Sequence, residues 1–166
     1  MKRLLGLLLV MGMVGCGGKE NAGNVVDNRV LTSEEITEAL ELRIGEWKYS
    51  DGQSLTGQWR QKGVAIDIKG QFNGQEHFQT VVYDFKTAQF VDTISLLDGR
   101  VQARYSRWDP GTRTLRIWMA GSPDSDWGLA IQKTGPNSVS CTSRDIARGH
   151  VLGRETSNGV RTPNTP

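Results

Sequence analysis

Apolar residues fall into three regimes along the chain. Leu4 to Val14 is an unbroken run of apolar and small residues between Lys2-Arg3 and Cys16. It is too short to span a bilayer, which takes about 20 apolar residues. Its positive start, short apolar core and small residues before Cys16 are the layout of a secretory signal. Gly17 to Arg29 is polar and rich in Gly and Asn, the composition of a flexible tether. Ile36, Leu40 and Ile44 then recur every four residues and predict one short helix with a narrow apolar stripe. Thr32 and Glu35 have the spacing of a capping box, and Leu31 and Ile36 that of a hydrophobic staple. Glu34 and Glu35 suit the positive start of the helix, and Gly45 is its expected stop.

From Gly45 onward the period is two. Val64, Ile66, Ile68 and Phe72 share one side of a strand and Asp67, Lys69 and Gln71 the other. Phe78, Thr80 and Val82 oppose His77, Gln79, Val81 and Tyr83. Phe90, Ile94 and Leu96 share a side with Asp92, and Trp127, Leu129 and Ile131 form a further row. Turn signals such as Asp51-Gly52, Asn73-Gly74, Asp98-Gly99 and Asp109-Pro110-Gly111 separate these stretches. Their spacing is close to the ~8–12 residues of antiparallel sandwiches and barrels. No second helical stretch is available for parallel crossovers. The predicted fold is mainly β: an antiparallel up-and-down barrel of about 9–10 strands with one short N-terminal helix.

Charge narrows the partners. The chain has 20 Lys+Arg and 18 Asp+Glu. Lys2 and Arg3 lie within residues 1–15, so without that segment basic and acidic residues balance. Nucleic acid is therefore not an expected partner, and electrostatic attraction to anionic lipid has no support.

Met13-Val14-Gly15-Cys16 resembles the lipobox of bacterial lipoproteins, a small residue before a cysteine at the end of the apolar run. The resemblance implies cleavage before Cys16 and a lipid on Cys16, with membrane attachment through acyl chains. Gly45-Glu46-Trp47 resembles the G-x-W start of lipocalin-like (calycin) barrels. That resemblance implies a Trp47 covering one barrel end, with a late-strand Arg or Lys packed across it; Arg144, Arg148 and Arg154 are the candidates, with Arg148 taken as the partner. Tyr83-Asp84, Phe90 and Trp108-Asp109-Pro110-Gly111 extend the likeness to a bacterial lipocalin-like family of uncharacterised function. These aspartates also suit plain hairpin caps.

No residue pattern carries chemistry. His77 and His150 are the only histidines, and no C-x-x-C, G-x-S-x-G or P-loop is present. No metal, cofactor or catalytic residue is expected. Cys141 reads as a buried small side chain. Of the five tryptophans, some fill a core and others stand at a cavity mouth. Trp59, Thr80 and Trp118 are the candidate ligand-binding residues. Trp118 shares a row with Thr112, Thr114 and Arg116, which lines either a polar pocket or the outer face.

The expected organisation is a signal over 1–15, a lipid-attached tether over 16–30, a helix and barrel over 31–155 and a disordered tail over 156–166. The expected role is a lipid-anchored envelope protein, at the outer membrane facing the periplasm, whose barrel binds a small apolar or amphipathic ligand. A structural or interaction module with a filled barrel is the alternative, and an enzyme the third reading.

Overall fold

The computed structural model describes residues 29–72, 75–147 and 150–162. Cys16 and Arg148, like the segments expected to be a signal and most of a tether, lie outside the described residues. Among those described, one α-helix, α1 (Ser33–Glu41), precedes strands β1 (Gly45–Tyr49), β2 (Ser54–Gln61), β3 (Ala65–Phe72), β4 (Gln75–Asp84) and β5 (Gln89–Leu96). The chain continues through β6 (Val101–Asp109), β7 (Thr114–Met119), β8 (Leu129–Gly135), β9 (Ser138–Ala147) and β10 (His150–Arg161). Each strand pairs antiparallel with the next, and β10 returns to β1, closing a ten-stranded up-and-down barrel. Closure leaves no sheet edge unpaired.

The capping box of α1 is complete. Thr32 Oγ1 accepts from the Glu35 amide at 3.3 Å, and Glu35 Oε2 accepts from the Thr32 amide at 2.9 Å. Ile36, Ala39 and Leu40 are buried. The helix ends at Glu41, one turn before the predicted stop, and Ile44 packs on the core from the turn that follows.

The helix lies across one end of the barrel. The Leu31 amide donates to the Tyr83 hydroxyl at 2.9 Å. Glu38 pairs with Arg113 and Lys133, and Thr37 faces Gly63. These partners sit at the β2–β3, β4–β5, β6–β7 and β8–β9 turns, all at the same end. Beneath the helix, Phe90, Trp108, Leu115, Ile66 and Val139 are fully buried and fill that half of the interior. At the other end, the inner rows carry exposed Gln102, Ser143 and Glu155, so solvent reaches into the barrel there.

The chain enters β1 by passing close over β2. A Cβ at Gly57 would lie 1.7 Å from the Arg43 carbonyl oxygen. Backbone cannot yield as a side-chain tip can. Gly57→Ala is therefore expected to destabilise by about 3 kcal/mol, the upper part of the usual range for overpacking. A urea midpoint equal to wild type would mean that the 42–44 turn shifts freely.

One expectation is corrected. Residues 156–161 are not a disordered tail: they complete β10 and hold the barrel shut against β1. The inner row of β10 is small and polar, with Gly153, Ser157 and Gly159, so the segment has no apolar alternation to betray it. The call on Arg148 lies outside the described residues; the arginine over Trp47 among them is Arg161, described below.

Asp84 and Asp109 each cap a hairpin in the same way. Asp84 accepts from the Lys86 amide and the Thr87 hydroxyl, and Asp109 from the Gly111 amide and the Thr112 hydroxyl. The residue after each threonine, Ala88 or Arg113, has a positive φ, 53° and 52°. Two hairpins of the capped end thus share one local construction.

Candidate functional site

The polar centre of the barrel is built by three charged residues from three places. Asp92 stands on the inner row of β5 between Phe90 and Ile94, and its own exposure is 0%. Arg104 is its cross-strand neighbour on β6. Arg43 comes from the turn between α1 and β1, held there by its amide bond to the Leu40 carbonyl at 3.0 Å. Arg104 Nη2 donates to Asp92 Oδ2 at 2.6 Å and to Gln79 Oε1 at 3.3 Å. Arg43 Nη1 donates to the same Asp92 oxygen at 3.4 Å. One carboxylate thus faces two guanidinium groups.

Burial grades the cluster. Arg43 is 3% exposed and Arg104 19%, so Arg104 is the one that solvent reaches from the open end. Burial pulls the Arg43 guanidinium below its ordinary pKa, with Asp92 opposing and Arg104 adding to the shift. An arginine nonetheless remains charged in a protein, so the cluster keeps one excess positive charge. His77, with its ring over Gly70 on the neighbouring strand, is likewise lowered by burial and then by Arg104, with Asp92 opposing.

Several polar atoms here find no hydrogen-bond partner among the described residues. They are Arg43 Nε and Nη2, Arg104 Nε, Ser106 Oγ, Trp108 Nε1 and Asp92 Oδ1. Ser106 and Trp108 follow Arg104 on the inner row of β6, toward the capped end. Buried polar groups are normally bonded, because an unmade bond costs about 1–3 kcal/mol.

The barrel-end device implied by Gly45-Glu46-Trp47 is present in a different form. Trp47 is 3% exposed, and its indole Nε1 donates to the Ile44 carbonyl at 3.0 Å. Arg161, the last residue of β10, holds its guanidinium 5.4 Å from the Trp47 ring centre. Arg161 is fixed there by Asn137 Oδ1 and the Pro136 carbonyl, both within 3.1 Å. Gly45 has φ 92° and leaves room for the Arg161 side chain. Arg144 stacks on Trp127 instead, at 4.2 Å, and Arg154 is exposed.

The three candidate ligand-binding residues do not share a site. Trp59 is on the inner row of β2 and packs against the core. Thr80 is on the outer face of β4, where its hydroxyl donates to Asp67 Oδ1 at 2.9 Å beside Arg60. Trp118 is also on the outer face, covered by Arg107 at 5.5 Å and Tyr105 at 6.3 Å. Of the two readings of the Trp118 row, the outer face is the one observed.

Cys141 is buried inside β9, and burial pushes its thiol up to about 12. Such a thiol carries almost no thiolate at neutral pH. His77 and His150 lie on β4 and β10, which are not neighbours in the barrel.

Residue-pattern reasoning did not single out Arg43, Asp92 and Arg104 as a site. The one available signal was Asp92 on an otherwise apolar row. Compared with protein-family models the chain matches none, and among curated proteins no sequence matches it.

Proposed function

We propose that this chain is a bacterial envelope lipoprotein, anchored by a lipid on Cys16, whose lipocalin-like barrel takes a small amphipathic ligand through its open end. The observation that carries the binding reading is the asymmetry of the interior. One half is packed with large apolar side chains beneath α1. The other half reaches solvent and leads to the buried Arg43–Asp92–Arg104 cluster. Binding sites combine apolar walls with a few convergent polar groups in this way. The envelope reading is supported by Lys2-Arg3, the apolar run and Gly15-Cys16. Gly17 is not the aspartate associated with inner-membrane retention, which favours the outer membrane.

Native mass spectrometry of a Cys16→Ser chain is expected to show a non-covalent small molecule retained by the barrel. The wild-type chain is expected to take up labelled palmitate and fractionate with membranes, and the Cys16→Ser chain to do neither. A ligand-free spectrum from protein purified without detergent would favour a filled, structural barrel. Equal fractionation of the two chains, with no label on either, would remove the anchor.

A further inference from the structure

We infer that one side of the open end, from β4 to β7, is a lipid-contact surface on which the barrel leans against the bilayer. The inference rests on the anchor reading above and says how the anchored barrel sits.

Four exposed apolar side chains mark this surface. Leu97, 69% exposed, stands in the turn between β5 and β6, and Val101, 65% exposed, opens β6. Ser95 pairs with both Phe78 and Val101, so these two share an outer row across β4, β5 and β6. Phe78 is exposed, as is Met119 at the end of β7. Between them the outer row of β5 carries Val91, Thr93 and Ser95, with no charge. The flanking charges are Lys69–Glu76 and Arg100–Asp98, two exposed ion pairs that cancel. The opposite side of the barrel instead brings exposed Asp51, Arg154 and Glu155 toward the open end. Apolar surface is thus gathered on one side of one end. A stable protein interface buries about 800 Å² per partner with matched shape, and side chains that radiate from a hairpin tip and a curved sheet do not offer that. A bilayer moulds to such tips and asks only for apolar groups that reach its headgroup–acyl boundary. The cancelled charges fit a surface met through apolar contact and not through attraction to anionic lipid.

The length of chain before the barrel admits this pose. Leu31 is bonded to Tyr83 at the capped end, so the chain from Cys16 meets the barrel at the end away from Leu97. Residues 16–28 precede Arg29, and at about 3.3 Å each their covalent reach is roughly 43 Å. The ten residues of β4 rise at most about 33 Å, and a tilted barrel strand spans less height. A lipid on Cys16 therefore reaches a bilayer that lies against the open end. A second apolar pair, Val30 and Phe85, is exposed at the capped end. There α1 presents exposed Glu34 and Glu41 beside it, and a layer of phosphate headgroups repels carboxylates. Charge therefore favours the β4–β7 side of the open end as the face that meets lipid.

The test uses the full chain, purified from membranes and reconstituted into phosphatidylcholine vesicles. Leu97→Cys and Lys86→Cys place one polarity-sensitive fluorophore at the open or the capped end; Cys141 is buried and does not compete for the label. Val101→Cys is a second open-end site and is expected to agree with Leu97→Cys. Vesicles containing doxyl-labelled lipid are expected to quench the label at 97 about threefold more than the label at 86, because only the first reaches the acyl boundary. Raising the salt concentration is expected to leave that ratio unchanged, since the flanking charges are already paired. Mass spectrometry of the same samples reports whether Cys16 carries a lipid. Equal quenching at the two ends, or stronger quenching at 86, overturns the lipid-contact surface and leaves the anchor standing. An unlipidated chain whose label at 97 is still quenched overturns the anchor and keeps the surface. An unlipidated chain with no quenching at 97 overturns both.

Discussion

Asp92→Ala is expected to remove a large fraction of the stability of the domain. The substitution leaves Arg43 and Arg104 facing each other inside the barrel with no carboxylate between them. Breaking a buried ion pair from one side typically costs about 3–5 kcal/mol, out of the ~5–15 kcal/mol that holds an ordinary domain folded. The urea midpoint should fall steeply with the slope unchanged, since the denatured chain is hardly altered. The companion variant is informative for its contrast. Replacing all three charges together, Arg43→Met, Asp92→Leu and Arg104→Met, should cost far less, because it removes the desolvated charges along with their attraction. A domain indifferent to Asp92→Ala would mean that water reaches both guanidinium groups, and the low-dielectric picture of the interior would be wrong.

Trp47→Ala is the second large effect expected, of about 3–5 kcal/mol from lost transfer energy and the cavity left behind. Trp47 does three things at once. It fills the core, it donates to the Ile44 carbonyl, and it offers its ring to Arg161 where β10 closes on β1. Arg161→Ala should cost less, on the order of 1–2 kcal/mol, the worth of a cation–π contact with partial desolvation. The emission lost in Trp47→Ala should be the blue, buried component. Loss of a red component with an unmoved midpoint would show Trp47 to be solvated and would end its role as the plug of the barrel.

The barrel was legible because alternation and turn chemistry act locally. Ile66, Ile68, Val81 and Phe90 face the core in the pattern that period two requires, and the Thr32–Glu35 box begins the helix where its spacing says. β10 was hidden because its inner row, with Gly153, Glu155, Ser157, Gly159 and Arg161, carries no apolar side chain; it closes the barrel through backbone hydrogen bonds and not through apolar burial. Arg161 was hidden with it. The polar centre was illegible for another reason. Asp92 and Arg104 meet across the β5–β6 hairpin, but Arg43 is 49 residues from Asp92, and only the placing of the turn after α1 brings it to them. Asp92 in an apolar row marked one member. Nothing local marks an arginine in a helix-ending turn as an interior residue. Thr80 and Trp118 stand on the outer face, which alternation did not decide: it separates two sides of a strand but does not say which is inside.

The order of strands around the barrel is also their order along the chain, and this has a consequence for assembly. Every pairing but one joins strands that follow one another in the chain. The exception is the seam, where β1 meets β10 and Ile44 meets Arg161 across 117 residues. Loop entropy rises only logarithmically with length, so the seam is not much costlier to close than a longer hairpin. It is, however, the one step that converts a curled ribbon into a ring. Until it closes, β1 and β10 are free edges open to pairing with another chain. The residues at the joint therefore govern whether a folding chain ends as a single ring or exchanges strands with its neighbour.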